Sequence, residues 1–202
     1  MKSVFRSVLI AATLACAAAS SSAALVYTSS AAFLPHVAAG AYTNTFNGLT
    51  NASSGSFTGG GFSYTISAPN DIYFSGDFVG VNQEDDALTI TFTSGNVTAI
   101  GANFFATNLS DAFQALALTI HLSDGTVEHF TPASVANSYR GFVSDVAITS
   151  LVIDSAGVSL YSGLDNLTVG TAAVSQVPEP GSLALLGLGL AGLATVRKRT
   201  SA

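Results

Sequence analysis

The body of this 202-residue chain predicts an all-β fold, an antiparallel β-sandwich of jelly-roll type, with a secretory signal before it and a single transmembrane helix behind it. Three observations carry that expectation. Short stretches of strict apolar/polar alternation recur between residues 57 and 169. Clusters of Gly, Asn, Asp and Ser punctuate them at turn spacing. No segment of helical period and length stands between them. Some eight to ten short strands in about 150 residues fit two packed sheets better than a closed barrel.

Residues 1–24 read as a signal peptide: Lys2 and Arg6 form a positive start, residues 8–19 are apolar, and small residues follow through Ala24. Cleavage is expected by signal peptidase after Ala23 or after Ala24, because Ser21/Ala23 and Ser22/Ala24 both place small side chains at the two recognition positions. Lipidation at Cys16 is the alternative. Against it, Thr13 occupies the place of a branched aliphatic and no Gly precedes the cysteine. Cys16 is the chain's one cysteine, so its departure with the signal leaves a body without disulfides, thiolate nucleophiles or zinc-thiolate sites.

Residues 25–176 have the length of one domain. After a Gly59-Gly60-Gly61 bend, Phe62, Tyr64 and Ile66 share one face of the stretch 57–67. Residues 88–93 alternate Leu, Ile and Phe with threonines, and Ser94-Gly95-Asn96 predicts a hairpin into residues 97–100. Residues 116–123 and 126–130 flank Asp124-Gly125, which predicts a hairpin with a two-residue type I′ turn. That register sets His121 opposite Glu128 and His129 opposite Ile120. Short strands follow at 142–143, 148–153 and 157–161, and Leu164-Asp165-Asn166-Leu167-Thr168-Val169 closes the domain.

Residues 177–202 divide into three pieces. Pro178-Glu179-Pro180 lacks two backbone donors and stays extended, open to a processing enzyme. Residues 183–196 form an apolar run that spans a bilayer once its flanking residues are included, and Arg197, Lys198 and Arg199 act as a basic stop that stays cytoplasmic. Everything N-terminal to the run is then outside.

Charge follows the same division. Five of the six basic residues belong to the two ends, so the body keeps Arg140 against eleven acids, a formal charge of −10. Nucleic acid is excluded as a partner, since nothing basic is present to meet phosphates. Cations suit this balance, as does plain solubility. Asn82-Gln83-Glu84-Asp85-Asp86 gathers hard oxygen donors suited to Ca²⁺, with Glu84, Asp85 and Asp86 as its carboxylates; a solvated loop is the alternative. His36, His121 and His129 are too scattered for zinc, no Gly-x-Ser-x-Gly elbow occurs, and no spacing selects a glycosidase pair from Asp71, Asp77, Glu128 and Asp145. The Asn-x-Ser/Thr sequons at Asn51, Asn96, Asn108 and Asn166 read as surface turns. With no Trp, a stacking platform for sugars would fall to Tyr73, Tyr139 or Tyr161, unless these are core residues.

The order Pro178-Glu179-Pro180, apolar run, Arg197-Lys198-Arg199 resembles the PEP-CTERM sorting signal of Gram-negative bacteria. That resemblance implies an exosortase as processing partner, a transient stay in the inner membrane through the C-terminal helix, and a final place at the cell surface or in the extracellular matrix beside exopolysaccharide. Within the body, Gly101-Ala102-Asn103-Phe104-Phe105, Leu122-Ser123-Asp124-Gly125-Thr126, Gly141-Phe142-Val143-Ser144-Asp145 and the closing Leu164–Gly170 stretch resemble blocks of PEP-CTERM cargo proteins with jelly-roll bodies. The closing strand is also similar to that of carbohydrate-binding jelly rolls, which implies a part for Asp165 in holding a structural calcium ion. The expected function is therefore non-enzymatic: a structural or adhesive component within extracellular polysaccharide. A lectin-like carbohydrate-binding module is the alternative, and a secreted hydrolase a more distant one.

Overall fold

Alternation sorts the side chains of each strand to two faces, and the apolar faces pair across one core. The computed structural model describes residues 23–51, 55–154 and 159–173. In chain order these form β1 (Leu25–Tyr27), the four-residue helix α1 (Ser30–Phe33), β2 (Tyr42–Asn44), β3 (Ser56–Gly59), β4 (Phe62–Ser67), β5 (Ile72–Phe74) and β6 (Val79–Val81). There follow β7 (Leu88–Phe92), β8 (Ala99–Thr107), β9 (Phe113–Gln114), β10 (Leu118–Leu122) and β11 (Val127–Phe130). The last three are β12 (Tyr139–Val143), β13 (Ser150–Asp154) and β14 (Tyr161–Gly170).

The smaller sheet runs β11-β10-β13-β7-β4-β3 and the larger β1-β12-β8-β14-β6-β5, with β2 also on β14 and β9 on β8. Every strand pair is antiparallel. The expected antiparallel β-sandwich is thus the observed architecture. Phe62, Tyr64 and Ile66 of β4, Leu88, Ile90 and Phe92 of β7, and Leu118, Ile120 and Leu122 of β10 are buried. They share one core with Ile100, Phe104, Phe142, Leu164, Leu167 and Val169 of the larger sheet. Asn44 Nδ2 donates to the Tyr64 hydroxyl at 3.1 Å, and burial pushes that phenol far up. On the outer face of the larger sheet, α1 sets Phe33 against Ala99 and Tyr139 in a second small cluster. Tyr139 is only 7% exposed in this cluster, and that burial pushes its phenol up to about 12; it is packing rather than platform.

Three expectations are corrected. Residues 94–96 do not turn a hairpin: β7 has both edges filled, by β4 and β13, and the chain crosses to the other sheet, where β8 pairs with β12 and β14. The hairpin at Asp124-Gly125 exists with a one-residue shift, pairing His121 with Val127, Ile120 with Glu128 and Thr119 with His129. Its loop holds three residues, because Gly125 donates to Leu122 O across a tight turn and Gly125 itself takes φ +93°, the geometry of a turn with an added left-handed residue. Finally, the expected strand at 157–161 begins outside the described residues, and Tyr161 opens the ten-residue β14. β14 also carries a bulge: Asp165 faces Asn103 and Thr168 faces Gly101, so Asn166 and Leu167 together oppose Ala102. Asn166 takes φ +54°, and the extra residue turns Leu167 into the core while Asp165 stays on the outer face.

Candidate functional site

The outer face of the larger sheet carries the functional candidates. β5 and β6 form a hairpin in which Tyr73 pairs with Gly80; Ile72 and Phe74 point to the core, which leaves Tyr73 outward. On β14, Tyr161 pairs with Thr107 and Gly163 pairs with both Gly80 and Phe105. A Cβ on Gly163 would sit 3.3 Å from the Val79 carbonyl oxygen and in contact with the Phe78 and Phe105 rings, which pack over this part of the sheet. Phe78 meets Phe105 edge-on at 5.3 Å and Tyr73 at 6.3 Å. Beside these rings, residues 108–112 form a tight turn: Asn108 Oδ1 accepts from the Ser110 and Ala112 backbone N–H groups, and Asp111 takes φ +59°. The turn presents Asp111 inward and leaves Leu109 82% exposed.

Together these elements enclose a pocket of about 150 Å³ lined by Tyr73, Phe78, Asn82, Asn108, Asp111 and Tyr161 among others. Two tyrosines flank it, each with its hydroxyl on a carboxylate. Tyr73 donates to Asp111 Oδ2 at 2.9 Å, and Tyr161 to Glu84 Oε1 at 3.4 Å. The bond to Asp111 raises the Tyr73 phenol; desolvation, then the Glu84 charge, raise that of Tyr161. Both rings are half-exposed; a charge-assisted bond to Asp111 holds Tyr73, and a longer, weaker contact with Glu84 meets Tyr161.

Further along the same face lies a polar track. Asn166 Nδ2 donates to Asp165 Oδ2 at 2.8 Å and to Asn103 Oδ1 at 3.3 Å, while Asn103 Nδ2 donates to Val135 O and Ser138 Oγ. Desolvation, with the nearby Asp77 charge adding to it and the Asn166 backbone N–H opposing it, raises the Asp165 carboxyl above its ordinary value. The track ends in a wider depression of about 540 Å³ lined by Ser29, Ser30, Asn103, Asn137 and Tyr139.

Of the residues nominated for calcium, Glu84, Asp85 and Asp86 sit in the loop between β6 and β7. Asp85 Oδ1 accepts from the Ser159 backbone, Asp86 accepts from the Asn70 backbone and side chain, and Glu84 holds Tyr161. Asp165 stands four residues along β14 from Tyr161, roughly 13 Å at strand spacing. The four carboxylates therefore divide between two places, and among the described residues no three His, Cys, Asp or Glu side chains gather as a metal-holding set. Pro178, Glu179, Pro180, Arg197, Lys198 and Arg199 lie outside the described residues. Tyr73 and Tyr161 were legible as platform candidates, whereas Phe78, Asn108 and Asp111 were not. The one hint was Leu109 standing in the polar run Asn108-Leu109-Ser110-Asp111.

No curated protein matches the chain. Among solved structures, it is similar to two variants of CBM29-2, a family 29 carbohydrate-binding module, each at 14% identity, with TM-scores of 0.41 and 0.39 and covering 69% of this chain and 98% of theirs. A third variant, complexed with cellulohexaose, aligns at 14% identity and a TM-score of 0.37 over 71% of this chain and 100% of that one. These likenesses assign no ligand to this chain. Residues 176–199 match the family model of the PEP-CTERM protein-sorting motif, so the chain is a β-sandwich body followed by a PEP-CTERM sorting motif.

Proposed function

We propose that this is an exported, non-catalytic protein, cleaved at Pro178-Glu179-Pro180 by an exosortase and placed at the cell surface or in the surrounding matrix, where it associates with an uncharged polysaccharide. The observation that carries the binding half is the pair of half-exposed tyrosines, Tyr73 and Tyr161, each with its hydroxyl turned to a carboxylate at the rim of one pocket. A sugar ring has an apolar C–H face and a polar edge. The first suits the half-exposed rings of Tyr73, Phe78 and Tyr161, and the second suits Asn82, Asn108 and Asp111 as acceptors and donors. Acidic polymers are disfavoured, because a body of formal charge −10 with carboxylates along the face repels them.

The test is retention of the exported protein on immobilised neutral and uronate-containing polysaccharides. Retention is expected on a neutral polymer alone, weakened by Tyr73→Ala, with no reducing ends released. Failure to bind any neutral polymer removes the binding reading, and steady release of reducing ends replaces it with a hydrolase.

A further inference from the structure

The structure distinguishes the two signal-peptide cleavage positions that the sequence leaves open. Ala23 is exposed, whereas Ala24 is 8% exposed and belongs to the main core. The Ala24 backbone nitrogen donates to Thr126 Oγ1 at 2.7 Å, and Thr126 is itself buried. The contact joins the two sheets, since Ala24 leads into β1 of the larger sheet and Thr126 belongs to the hairpin between β10 and β11 of the smaller. The same Thr126 donates its backbone N–H to Asp124 Oδ1 at 2.9 Å. The other carboxylate oxygen, Asp124 Oδ2, is buried and has no hydrogen-bond partner among the described residues. A buried carboxylate oxygen left unpaired is costly.

We propose that signal peptidase hydrolyses the Ala23–Ala24 peptide bond and that the new Ala24 α-ammonium pairs with Asp124. Water adds across the amide, leaving a carboxylate on Ala23 and an amine on Ala24 that takes up a proton. One N–H becomes three. One of them keeps the Thr126 Oγ1 bond, and the others are free for Asp124 Oδ2, whose sister oxygen is held by the backbone N–H of that same threonine. Cleavage one residue later would delete a core side chain and strip Thr126 Oγ1 of its donor. Signal removal therefore completes a charged clasp between the sheets, independently of whatever the outer face binds.

The body contains no lysine, so once the signal is gone the only amines in the chain are the N-terminus and Lys198. The experiment uses the full chain exported from a bacterial host with Lys198→Arg, which leaves one reactive amine. Intact mass and N-terminal sequencing are expected to show Ala24 first; a chain beginning at Leu25 overturns the cleavage assignment. Acetic anhydride under native conditions is expected to modify the amine at least tenfold more slowly than in the Asp124→Asn variant. Equal rates in two variants that both give cooperative melts overturn the pairing. If Asp124→Asn does not fold, Asp124→Glu, which keeps the charge, is expected to retain the slow rate, and a rate equal to that of the denatured chain counts against the clasp.

Discussion

Replacing Arg140 with alanine removes the one cation of the body, and the structure sets the size of the effect. Arg140 points inward near the start of β12, where its Nε donates to Glu128 Oε1 at 2.9 Å and Nη1 donates to Tyr139 O at 2.8 Å. Its guanidinium carbon lies 3.8 Å from the centre of the Phe130 ring. Glu128 and Phe130 are on β11, so this side chain bridges the sheets. The Arg140 and Glu128 side chains are 13% and 24% exposed, which places the pair between a surface bridge of about 0–1 kcal/mol and a buried one whose breakage costs about 3–5 kcal/mol. Charge-assisted hydrogen bonding of about 1.5–3 kcal/mol, discounted for solvent, and a cation–π contact of about 0.5–2 kcal/mol sum to roughly 2–4 kcal/mol. At about 2–4 °C per kcal/mol for a domain of this size, Arg140→Ala is expected to lower Tm by roughly 5–12 °C with an unchanged urea m-value. Arg140→Lys keeps the charge, loses the fork and the stacked plane, and is expected to fall between. A double-mutant cycle with Glu128→Gln should return a coupling of about 1–2 kcal/mol, little changed by salt. A loss under about 0.5 kcal/mol would refute the reasoning and return Arg140 to the ordinary surface.

Other outcomes follow from the outer face and the tail. Asp111→Asn is expected to weaken polysaccharide retention about tenfold while leaving Tm within a degree or two, because the Tyr73–Asp111 pair is exposed; affinity electrophoresis checks it, and unchanged mobility removes Asp111 from the site. Asp85→Asn and Asp86→Asn are each expected to cost about 1 kcal/mol by loosening the ties to Ser159 and Asn70, read by thermal melts. Repeating those melts in calcium and in EDTA tests the calcium assignment: a midpoint several degrees higher in calcium, lost in these variants, puts the ion on this loop, and coincident curves remove it. Glu179→Ala with Pro180→Ala is expected to hold precursor in the membrane fraction of the native host, and unchanged release would show that the tripeptide does not direct processing.

Alternation made β4, β7, β10 and the end of β14 legible, because each buries one face and the period of two follows. β8 was read only to Ile100, since all of its nine residues but Asn103 are buried and continuous burial erases the alternation. β1, β2, β5, β6 and β9 have two or three residues each, too few for a period to register. The hairpin at Asp124-Gly125 was legible as a turn but not in its register, which depended on whether Ser123 joined the strand or the loop. The acidic loop at 84–86 was visible as composition. Its ties to Asn70, Ser159 and Tyr161 were not, because they span from 16 to 77 residues of chain. The tyrosine pocket drew on four separate segments for the same reason, and only its two tyrosines could be named beforehand.

Where the chain leaves the body decides how it bears force. Beyond β14, Ala172 pairs with Val37 and donates to Thr98 Oγ1, and Ala173 donates to His36 O, so the exit toward the tail is stitched down to its last described residue. A pull on the C-terminus therefore loads these ties first and then β14. That strand is bonded along one side to β8 and along the other to β6 and then β2. Antiparallel hydrogen bonds lie across the direction of such a pull and resist it as a set in shear, rather than opening one after another. The edge strands, β1 and β5, stand out of this line. Force applied to the outer face would pass through the most heavily bonded strand of the larger sheet before reaching the C-terminal exit.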